Sequence, residues 1–361
     1  MAENRDRVFI IAEAGVNHDG ALAQALRLVD VAAEAGADAA KFQSFTADRL
    51  VTSAARKAAY QAQNTGEASA QIDMLRPLEL SGEAHRAIAA RCRDRGIRFM
   101  STAFDVESLR FLTGFDMPAF KIASGDVTAA PLLLETARMG RPIILSTGMC
   151  TLPEIEAALG VIAFGLLRLS EPLGEAAFRV AFASAEGRAT LERNVTLLHC
   201  TTEYPAPLEE VNLRAMDTLR TAFGLRVGYS DHTLGTAVAV AAVARGATVI
   251  EKHFTLDRNL PGPDHKASLE PAELAAMVKS IRAVELALGS AAKAPSESEL
   301  RNRPAARRSL VAAHAIRRGE TFTEDNLSIK RPGNGIPPTR YWEFLGKKAA
   351  RDYAADELIE Q

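Results

Sequence analysis

The sequence is short of the features that mark secreted, membrane and metal-cluster proteins. Only three of its 361 residues are cysteine, Cys92, Cys150 and Cys200, and their wide spacing argues against both a disulfide framework and a cysteine-held zinc site. The apolar run at residues 8–12 is too short for a signal-peptide core or a membrane span. These absences predict a cytoplasmic protein with reduced thiols and no membrane partner.

An excess of charge of either sign is also missing. Lys and Arg total 43 against 45 Asp and Glu, so the formal net charge is −2 and nothing in the balance favours a nucleic-acid partner. Hydrophobic residues make up 47% of the chain and charged residues 24%, which is typical of a folded globular protein.

Short apolar runs alternate with longer stretches of helical period. In residues 21–35, for example, Leu22, Leu26, Val29 and Ala33 recur at three- and four-residue intervals, as one face of a helix requires. The predicted strands are residues 8–12, 37–42, 97–101, 119–123, 142–146, 195–199, 226–229 and 248–252. Eight strand–helix units in about 285 residues predict a (β/α)8 (TIM) barrel, with an open doubly wound α/β sheet as the alternative.

The rest of the chain predicts a second domain. The sequence divides into a barrel over residues 1–288, a small-residue and proline linker at 289–300, and a compact, mainly β module at 301–361. In that module residues 308–313 predict a strand and residues 322–327 a short capped helical turn. Within the barrel, residues 53–77 predict an extended loop over the mouth, and residues 165–193 a peripheral insertion that lengthens one helix.

Polar side chains recur at the carboxyl ends of the predicted strands, where a barrel gathers its active site. They are Glu13; Lys41 and Gln43; Thr102; Lys121 and Ser124; Ser146; Thr202 and Tyr204; Ser230 and His232; and Glu251 and His253. Lys41 and Lys121 close otherwise apolar strands, so their charges need an anionic partner. Two lysines with several hydroxyls predict a site for a small anion such as a phosphorylated carboxylate.

Two histidines end neighbouring predicted strands. His232 follows Asp231, and His253 lies two residues after Glu251. Two imidazoles, with water or substrate oxygens completing the shell, predict a divalent metal site with an open position. The loop at residues 259–266 contains three residues of proline or glycine that stiffen it and would hold Asp264 over the pocket.

The motifs together resemble those of the sialic acid synthase family, whose members condense phosphoenolpyruvate with an N-acyl hexosamine to form nine-carbon nonulosonic acids. The matching segments are IAEAGVNHDG (11–20), FKIASG (120–125), ILSTGM (144–149), LHCTTEYP (198–205), YSDHT (229–233), IEKHF (250–254) and PGPD (261–264). In the tail, KRPGNG (330–335) resembles the signature of the family's antifreeze-like (SAF) domain.

The resemblance implies roles for the residues gathered above. It implies that phosphoenolpyruvate is held by Lys41, Gln43, Thr102, Lys121, Ser124, Ser146 and Ser230. It implies a metal on His232 and His253, usually Mn²⁺, with Mg²⁺ or Co²⁺ as alternatives. It implies that the sugar and water are positioned by Glu13, Tyr204, Glu251 and Asp264. It also implies a domain-swapped homodimer in which Arg331 reaches the sugar bound to the partner's barrel.

Two positions bear on which sugar is used. Thr202 stands where some members of the family have an amide side chain, and Asp126 stands where a Glu is sometimes found. The segment around Thr202 is more similar to the legionaminic acid synthases, which use a 2,4-diacetamido-6-deoxy hexose instead of N-acetylmannosamine. Two other interpretations stay open: a Schiff-base aldolase using Lys41 or Lys121, and a sugar-binding relative without catalysis.

Overall fold

The computed structural model describes residues 7–66 and 69–361 as two compact units, one ending at Gly289 and the other running from Ser290 to Gln361. Residues 1–6 of the predicted first domain and residues 67–68 of the predicted 53–77 loop lie outside the described residues. None of the helices described is both long and apolar enough to cross a lipid bilayer.

Eight parallel strands close into a barrel in chain order, which confirms the predicted (β/α)8 fold and excludes the open sheet. They are β1 (Phe9–Gly15), β2 (Ala39–Ser44), β3 (Arg98–Ala103), β4 (Phe120–Ile122), β5 (Ile143–Ser146), β6 (Val195–Cys200), β7 (Arg226–Asp231) and β8 (Val249–His253). Closure rests on pairing of β1 with β8, from Phe9 opposite Val249 to Glu13 opposite His253.

The helices surround the barrel and cover the outward-facing apolar side chains of the strands. They are α1 (Leu22–Glu34), α2 (Ala47–Leu50), α3 (Ala59–Thr65), α4 (Gln71–Leu75), α5 (Gly82–Asp94), α6 (Val106–Leu112), α7 (Ala130–Arg138), α8 (Leu152–Leu166), α9 (Glu175–Ala183), α10 (Ala185–Asn194), α11 (Ala215–Phe223), α12 (Ala237–Ala244) and α13 (Pro271–Leu288). Pro271 occupies the first turn of α13, where its missing N–H costs nothing, and Glu270 and Glu273 cap that turn.

Two segments of the barrel differ from the sequence prediction. The predicted extended loop at 53–77 contains the short helices α3 and α4, and α4 is held by burial of Ile72, Met74 and Leu75 in a local apolar cluster. The predicted lengthened helix at 165–193 consists instead of the end of α8 followed by the separate helices α9 and α10. α9 packs so closely on α8 that a Cβ added to Gly160 would lie 2.8 Å from the carbonyl oxygen of Phe178.

The second unit has a core of its own. Helix α14 (Glu297–Ala306) begins inside the predicted 289–300 linker, capped by the Ser296 hydroxyl, and is followed by the antiparallel pair β9 (Ser309–Ala312) and β10 (Leu327–Lys330) and by α15 (Tyr341–Phe344). Its core residues are Leu310, Ala312, Ile316, Phe322, Leu327, Ile336, Phe344, Ala349, Tyr353 and Ile359. The predicted capped helical turn at 322–327 is present and leads into β10: the Leu327 N–H donates to the Thr323 carbonyl oxygen at 3.0 Å, and the Asn326 side chain accepts from the Thr323 N–H at 2.8 Å.

Candidate active site

The interior of the barrel is built in layers, because side chains of a strand alternate between its two faces. The apolar layer is a small cluster of residues from seven of the eight strand regions: Ile11, Ala39, Met100, Ala119, Ile144, Leu198 and Val249. On β7 the corresponding position is Gly228, where an added Cβ would lie 2.4 Å from the carbonyl oxygen of Val249. This layer fills the barrel below the pocket.

A polar layer follows two residues later on every strand. Its members are Glu13, Lys41, Thr102, Lys121, Ser146, Cys200, Ser230 and Glu251, and all of them are buried. Seven of the eight were predicted as site residues from their places at strand ends. Six of the eight strands end one to three residues later than predicted, β5 ends at the predicted residue and β4 ends one residue earlier, so these side chains lie within the strands of the barrel and not beyond them.

Four charged groups of this layer form one network. Lys41 Nζ lies 2.7 Å from Glu13 Oε2 and 3.5 Å from Glu251 Oε2. Lys121 Nζ lies 3.6 Å from Glu251 Oε1, which also accepts a hydrogen bond from Ser230 Oγ at 2.9 Å. None of the four charged residues is more than 5% exposed. Two positive and two negative charges thus neutralise each other at the floor of the pocket.

The two carboxylates differ in acidity. Burial raises the pKa of Glu13 to about 7, in opposition to the charge of Lys41. Burial also acts on Glu251, but Lys121 and Lys41 outweigh it and hold the pKa of Glu251 at about 2. Two neighbouring carboxyl groups whose pKa values are driven apart are suited to different tasks. Glu251 stays ionised and holds the lysines, whereas Glu13 can gain or lose a proton near neutral pH.

The anionic partners that the sequence predicts for Lys41 and Lys121 are found within the protein. Glu13 and Glu251 supply the opposite charges, so the burial of the lysines does not by itself require an anionic ligand. Lys41 also donates a hydrogen bond to Thr102 Oγ1 at 3.1 Å. An anion that binds here must therefore compete with these carboxylates for the lysines.

The two histidines stand next to each other at the mouth, with ring centroids 5.7 Å apart. His232 Nδ1–H donates to the carbonyl oxygen of Thr201 at 2.6 Å, which leaves its Nε2 lone pair facing Ser230 Oγ at 3.4 Å. Burial lowers the pKa of His232 to about 4 and holds that of His253 well below its usual range. The Tyr204 ring stacks on His232 at 4.1 Å.

These two imidazoles fit a divalent metal. Both imidazoles are neutral. The hydrogen bond from His232 Nδ1 to the Thr201 carbonyl oxygen leaves Nε2 free to bind a metal, and His253 Nδ1 is buried without a hydrogen-bond partner among the described residues. In the part of the chain that the structure describes, no group of three or more His, Cys, Asp or Glu is close enough to hold a metal ion. Water or substrate oxygens would therefore have to complete the coordination.

Hydroxyl groups converge on Gly148, next to the charged network. Its N–H donates to Ser124 Oγ at 2.9 Å, and a Cβ at this position would lie 2.3 Å from Thr202 Oγ1 and 3.0 Å from Cys200 Sγ. Ser146 Oγ and Thr202 Oγ1 are buried without a hydrogen-bond partner among the residues described. Buried hydroxyls that lack partners are suited to bind the oxygens of a ligand.

The remaining predicted residues lie around this centre. Gln43 and His253 meet at Gly15, where an added Cβ would lie 3.4 Å from Gln43 Nε2 and 3.2 Å from the His253 ring. Asp264 is buried, which raises its pKa to about 6. Arg331 is an exposed residue of the second unit.

A buried ion pair that the sequence motifs did not reveal lies behind the histidines. Asp231 precedes His232 in the chain, but its carboxylate turns outward and binds Lys252 Nζ at 2.8 Å, with both side chains fully buried. Asp231 also accepts from the N–H and hydroxyl of Thr233, and Lys252 donates to the Thr233 carbonyl. The signal for this pair in the sequence is Lys252, a charged residue that lies between inward-facing Glu251 and His253 on a buried strand and therefore points away from the pocket.

Two further pocket residues were missed. Cys200 is the β6 member of the polar layer, and its place two residues after Leu198 could have indicated it. Tyr60 on α3 packs on Tyr204 with ring centroids 5.0 Å apart. Nothing in the local sequence pattern points to Tyr60, because it is about 140 residues from its partner.

Comparison with known proteins gives one consistent result over nearly the whole chain. Residues 28–293 match the NeuB family, and residues 307–361 match the SAF domain. The chain is 47% identical to the N,N'-diacetyllegionaminic acid synthase of Campylobacter jejuni, over 98% of this chain and 99% of that protein. It is 44% identical to the synthase of the same name from Legionella pneumophila, over 97% and 93% of the two chains.

A solved structure agrees with these matches. The N-acetylneuraminic acid (sialic acid) synthetase of Leptospira borgpetersenii, crystallised with citrate, is 32% identical and superimposes with a TM-score of 0.66, covering 84% of this chain and 94% of that chain.

The buried Asp231–Lys252 pair makes a testable prediction. Lys252→Met leaves the Asp231 carboxylate buried without its partner and should lower the free energy of unfolding by about 3–5 kcal/mol. The double variant Lys252→Met with Asp231→Leu removes both charges and should recover part of that loss, as measured by urea unfolding.

The control is Arg76→Met, which removes an exposed ion pair with Asp48 and should change stability little. A double variant as unstable as the single variant would show that an uncompensated charge is not the cause of the loss.

Proposed function

Because the chain belongs to the NeuB family, we propose that it is a nonulosonic acid synthase that joins phosphoenolpyruvate to an open-chain N-acyl hexosamine and releases inorganic phosphate. The full-length identity to two N,N'-diacetyllegionaminic acid synthases carries this proposal. The polar layer supports it, because it offers lysines, carboxylates and hydroxyls at one point of the barrel. As a synthase that draws on phosphoenolpyruvate, it would act in the cytoplasm.

The proposed sugar is 2,4-diacetamido-2,4,6-trideoxymannose, and the product is N,N'-diacetyllegionaminic acid. Identity to the two synthases of that name is 47% and 44%, compared with 32% to the sialic acid synthetase. Position 202 supports the same choice, because it is Thr here and an amide side chain in some members of the family. N-acetylmannosamine is the alternative substrate.

The lysines suit the phosphorylated substrate. Phosphoenolpyruvate has a phosphate and a carboxylate, and Lys41 and Lys121 are the cations of the polar layer, with Thr102, Ser124, Ser146 and Ser230 as hydroxyl donors and Gln43 as an amide donor. Binding would draw the lysines from Glu13 and Glu251 towards the ligand. The same cations then stabilise the charge on phosphate as it departs.

The bond changes give the carboxylates their roles. The terminal carbon of the enol attacks the aldehyde carbon, and the aldehyde oxygen takes the C=O electron pair and a proton to become a hydroxyl. The new C–C bond leaves positive charge on the enol carbon, and water adds there. Glu13, with a pKa of about 7, can accept the proton that this water loses. The tetrahedral carbon then expels phosphate by C–O cleavage and becomes the keto group of the product. Glu251, Tyr204 and Asp264 would position the sugar and the water.

Members of the NeuB family depend on a metal, and we propose that here it is Mn²⁺, held by His232 and His253, with Mg²⁺ or Co²⁺ able to replace it. The neutral state of both imidazoles supports this assignment. Such a metal supplies Lewis acidity that polarises the sugar aldehyde.

The second candidate is a Schiff-base aldolase, which one observation favours: burial lowers the pKa of Lys121, as an amine nucleophile requires. The pairing of Lys121 with ionised Glu251 opposes it, because the carboxylate favours the charged ammonium. A sugar-binding protein without catalysis is less well supported, since the complete polar layer has been retained.

The domain-swapped homodimer is also a proposal. Three loops at the mouth of the barrel expose apolar side chains: Met149 is 69% exposed, Leu208 66% and Leu234 59%. Exposed apolar residues that cluster around a pocket are typical of a surface that another chain covers. The SAF domain of the partner subunit, with Arg331 reaching the sugar, would be that cover.

The reaction predicts sugar-dependent release of phosphate. Purified protein should release phosphate from phosphoenolpyruvate only when an N-acyl hexosamine is added, and kcat/KM should be at least about tenfold higher for 2,4-diacetamido-2,4,6-trideoxymannose than for N-acetylmannosamine. Lys121→Met should abolish release. Phosphate release that is independent of sugar, or absent with every sugar of the panel, would contradict the proposed function.

The metal assignment predicts sensitivity to chelation. Protein stripped with EDTA should lose activity and regain it with Mn²⁺, whereas borohydride in the presence of pyruvate, the ketone with which an aldolase lysine would form a Schiff base, should not inactivate it. His232→Asn should lose Mn²⁺ binding in calorimetry, and His314→Asn, which changes an exposed histidine of the second unit, should retain it. Full activity after stripping, or inactivation by borohydride, would favour the aldolase.

A shared active site predicts complementation between subunits. After subunit exchange, equal amounts of inactive Arg331→Ala and inactive Lys121→Ala protein should regain about a quarter of wild-type activity, because half of the dimers are mixed and each has one intact site. A mixture of Lys121→Ala and Glu13→Gln, both in the barrel, is the control and should regain none. No recovery in the first mixture would mean that Arg331 does not act in the partner's site.

A further inference from the structure

The segment between β2 and α5 forms a wall with its own apolar cluster at the mouth of the barrel. Its side chains and those of the β1 loop form a separate apolar cluster of Val16, Phe45, Ala47, Ile72, Met74, Leu75 and Leu78. Because this cluster anchors both ends of the segment, α3 is held over the pocket. None of the residues of α3 belongs to the cluster, so packing of the core does not explain its sequence.

Two side chains of α3 point to the sugar side of the pocket. Tyr60 packs on Tyr204, which in turn stacks on His232, so three rings follow one another outward from the metal-binding position at 4.1 and 5.0 Å. Asn64 Nδ2 donates to the carbonyl oxygen of Pro263 at 2.7 Å, which ties α3 to the loop that carries Asp264.

The phenol of Tyr60 lies in a confined environment. Burial raises its pKa well above the usual range, and the negative charges of Asp264 and Glu203 act in the same direction. The hydroxyl therefore stays protonated, and Gln61 Nε2 donates to it at 3.3 Å. What Tyr60 offers a ligand is mainly the edge and face of an aromatic ring.

The chemistry places the sugar relative to this ring. The aldehyde carbon must lie near the lysines and histidines, where it meets the enol carbon. Since Tyr204 stacks on His232 and packs on Tyr60, the sugar carbons remote from the aldehyde would extend along Tyr204 towards Tyr60. An aromatic wall favours a methyl group at the end of that chain over a hydroxymethyl group, whose hydroxyl would lose hydrogen bonds to water.

We propose that Tyr60 is a specificity-determining residue whose ring, seated on Tyr204, receives the end of the sugar remote from the aldehyde and selects a 6-deoxy hexosamine. This inference rests on the proposed function and adds a named determinant to it. The Tyr60 ring thus acts on the choice of sugar and not on phosphoenolpyruvate.

The test compares kcat/KM for the two sugars in Tyr60→Ala, Tyr60→Leu and Tyr60→Phe. Tyr60→Ala should lower kcat/KM for 2,4-diacetamido-2,4,6-trideoxymannose about tenfold and that for N-acetylmannosamine much less, with KM for phosphoenolpyruvate unchanged. Tyr60→Phe retains the ring and should retain the preference, and Tyr60→Leu should fall between the two. Gln63→Ala, an exposed position on the same helix, is the matched control and should behave as wild type.

The outcomes separate this inference from the proposed function. If wild-type protein turns over neither sugar, the proposed function fails. If wild-type protein is active and Tyr60→Ala leaves the ratio of kcat/KM for the two sugars unchanged, only the role of Tyr60 is overturned. A loss of preference in Tyr60→Phe would overturn the ring as the determinant. Tyr60→Leu keeps the comparison available if Tyr60→Ala does not fold.

Discussion

The pocket depends on four charges buried at the centre of the barrel. Lys41, Lys121, Glu13 and Glu251 come from strands β2, β4, β1 and β8, and each would be costly to bury alone. Together they neutralise one another, so the barrel can close around them before any substrate is present. Under the proposed function, a phosphorylated carboxylate would bind the lysines in place of the two carboxylates and leave Glu13, with its raised pKa, for proton transfer.

The position of this network along the barrel axis follows from the two-residue period of a strand. An apolar layer fills the interior, and every residue two positions further on is polar or cysteine. Burial of the groups above this layer raises the pKa of Glu13 and lowers those of the histidines. β7 contributes Gly228 to the apolar layer because the carbonyl of Val249 leaves no room for a side chain.

The charged network and the loops at the mouth of the barrel have different roles in the site. Strands supply the buried charged and hydroxyl groups, whereas in the roles proposed above the loops and the short helix α3 would supply the surface that contacts the variable part of the sugar. Tyr204 joins the two, since it stacks on His232 on one side and packs on Tyr60 on the other. A family can therefore keep the reaction and change the sugar by altering residues outside the strands.

The sequence by itself determined the eight strands to within three residues, the alternating α/β class and most of the polar layer, because strand period and strand-end position are local properties. Its motifs also indicated the family. Closure of the sheet into a barrel was decided by the tertiary structure. Only the tertiary structure decided that Lys41 and Lys121 are neutralised by Glu13 and Glu251, that Asp231 turns away from His232 towards Lys252, and that Tyr60 packs on Tyr204. Each of these contacts joins residues far apart in the chain, and which of them meet depends on how the barrel closes and how its loops fold back, neither of which local periodicity encodes.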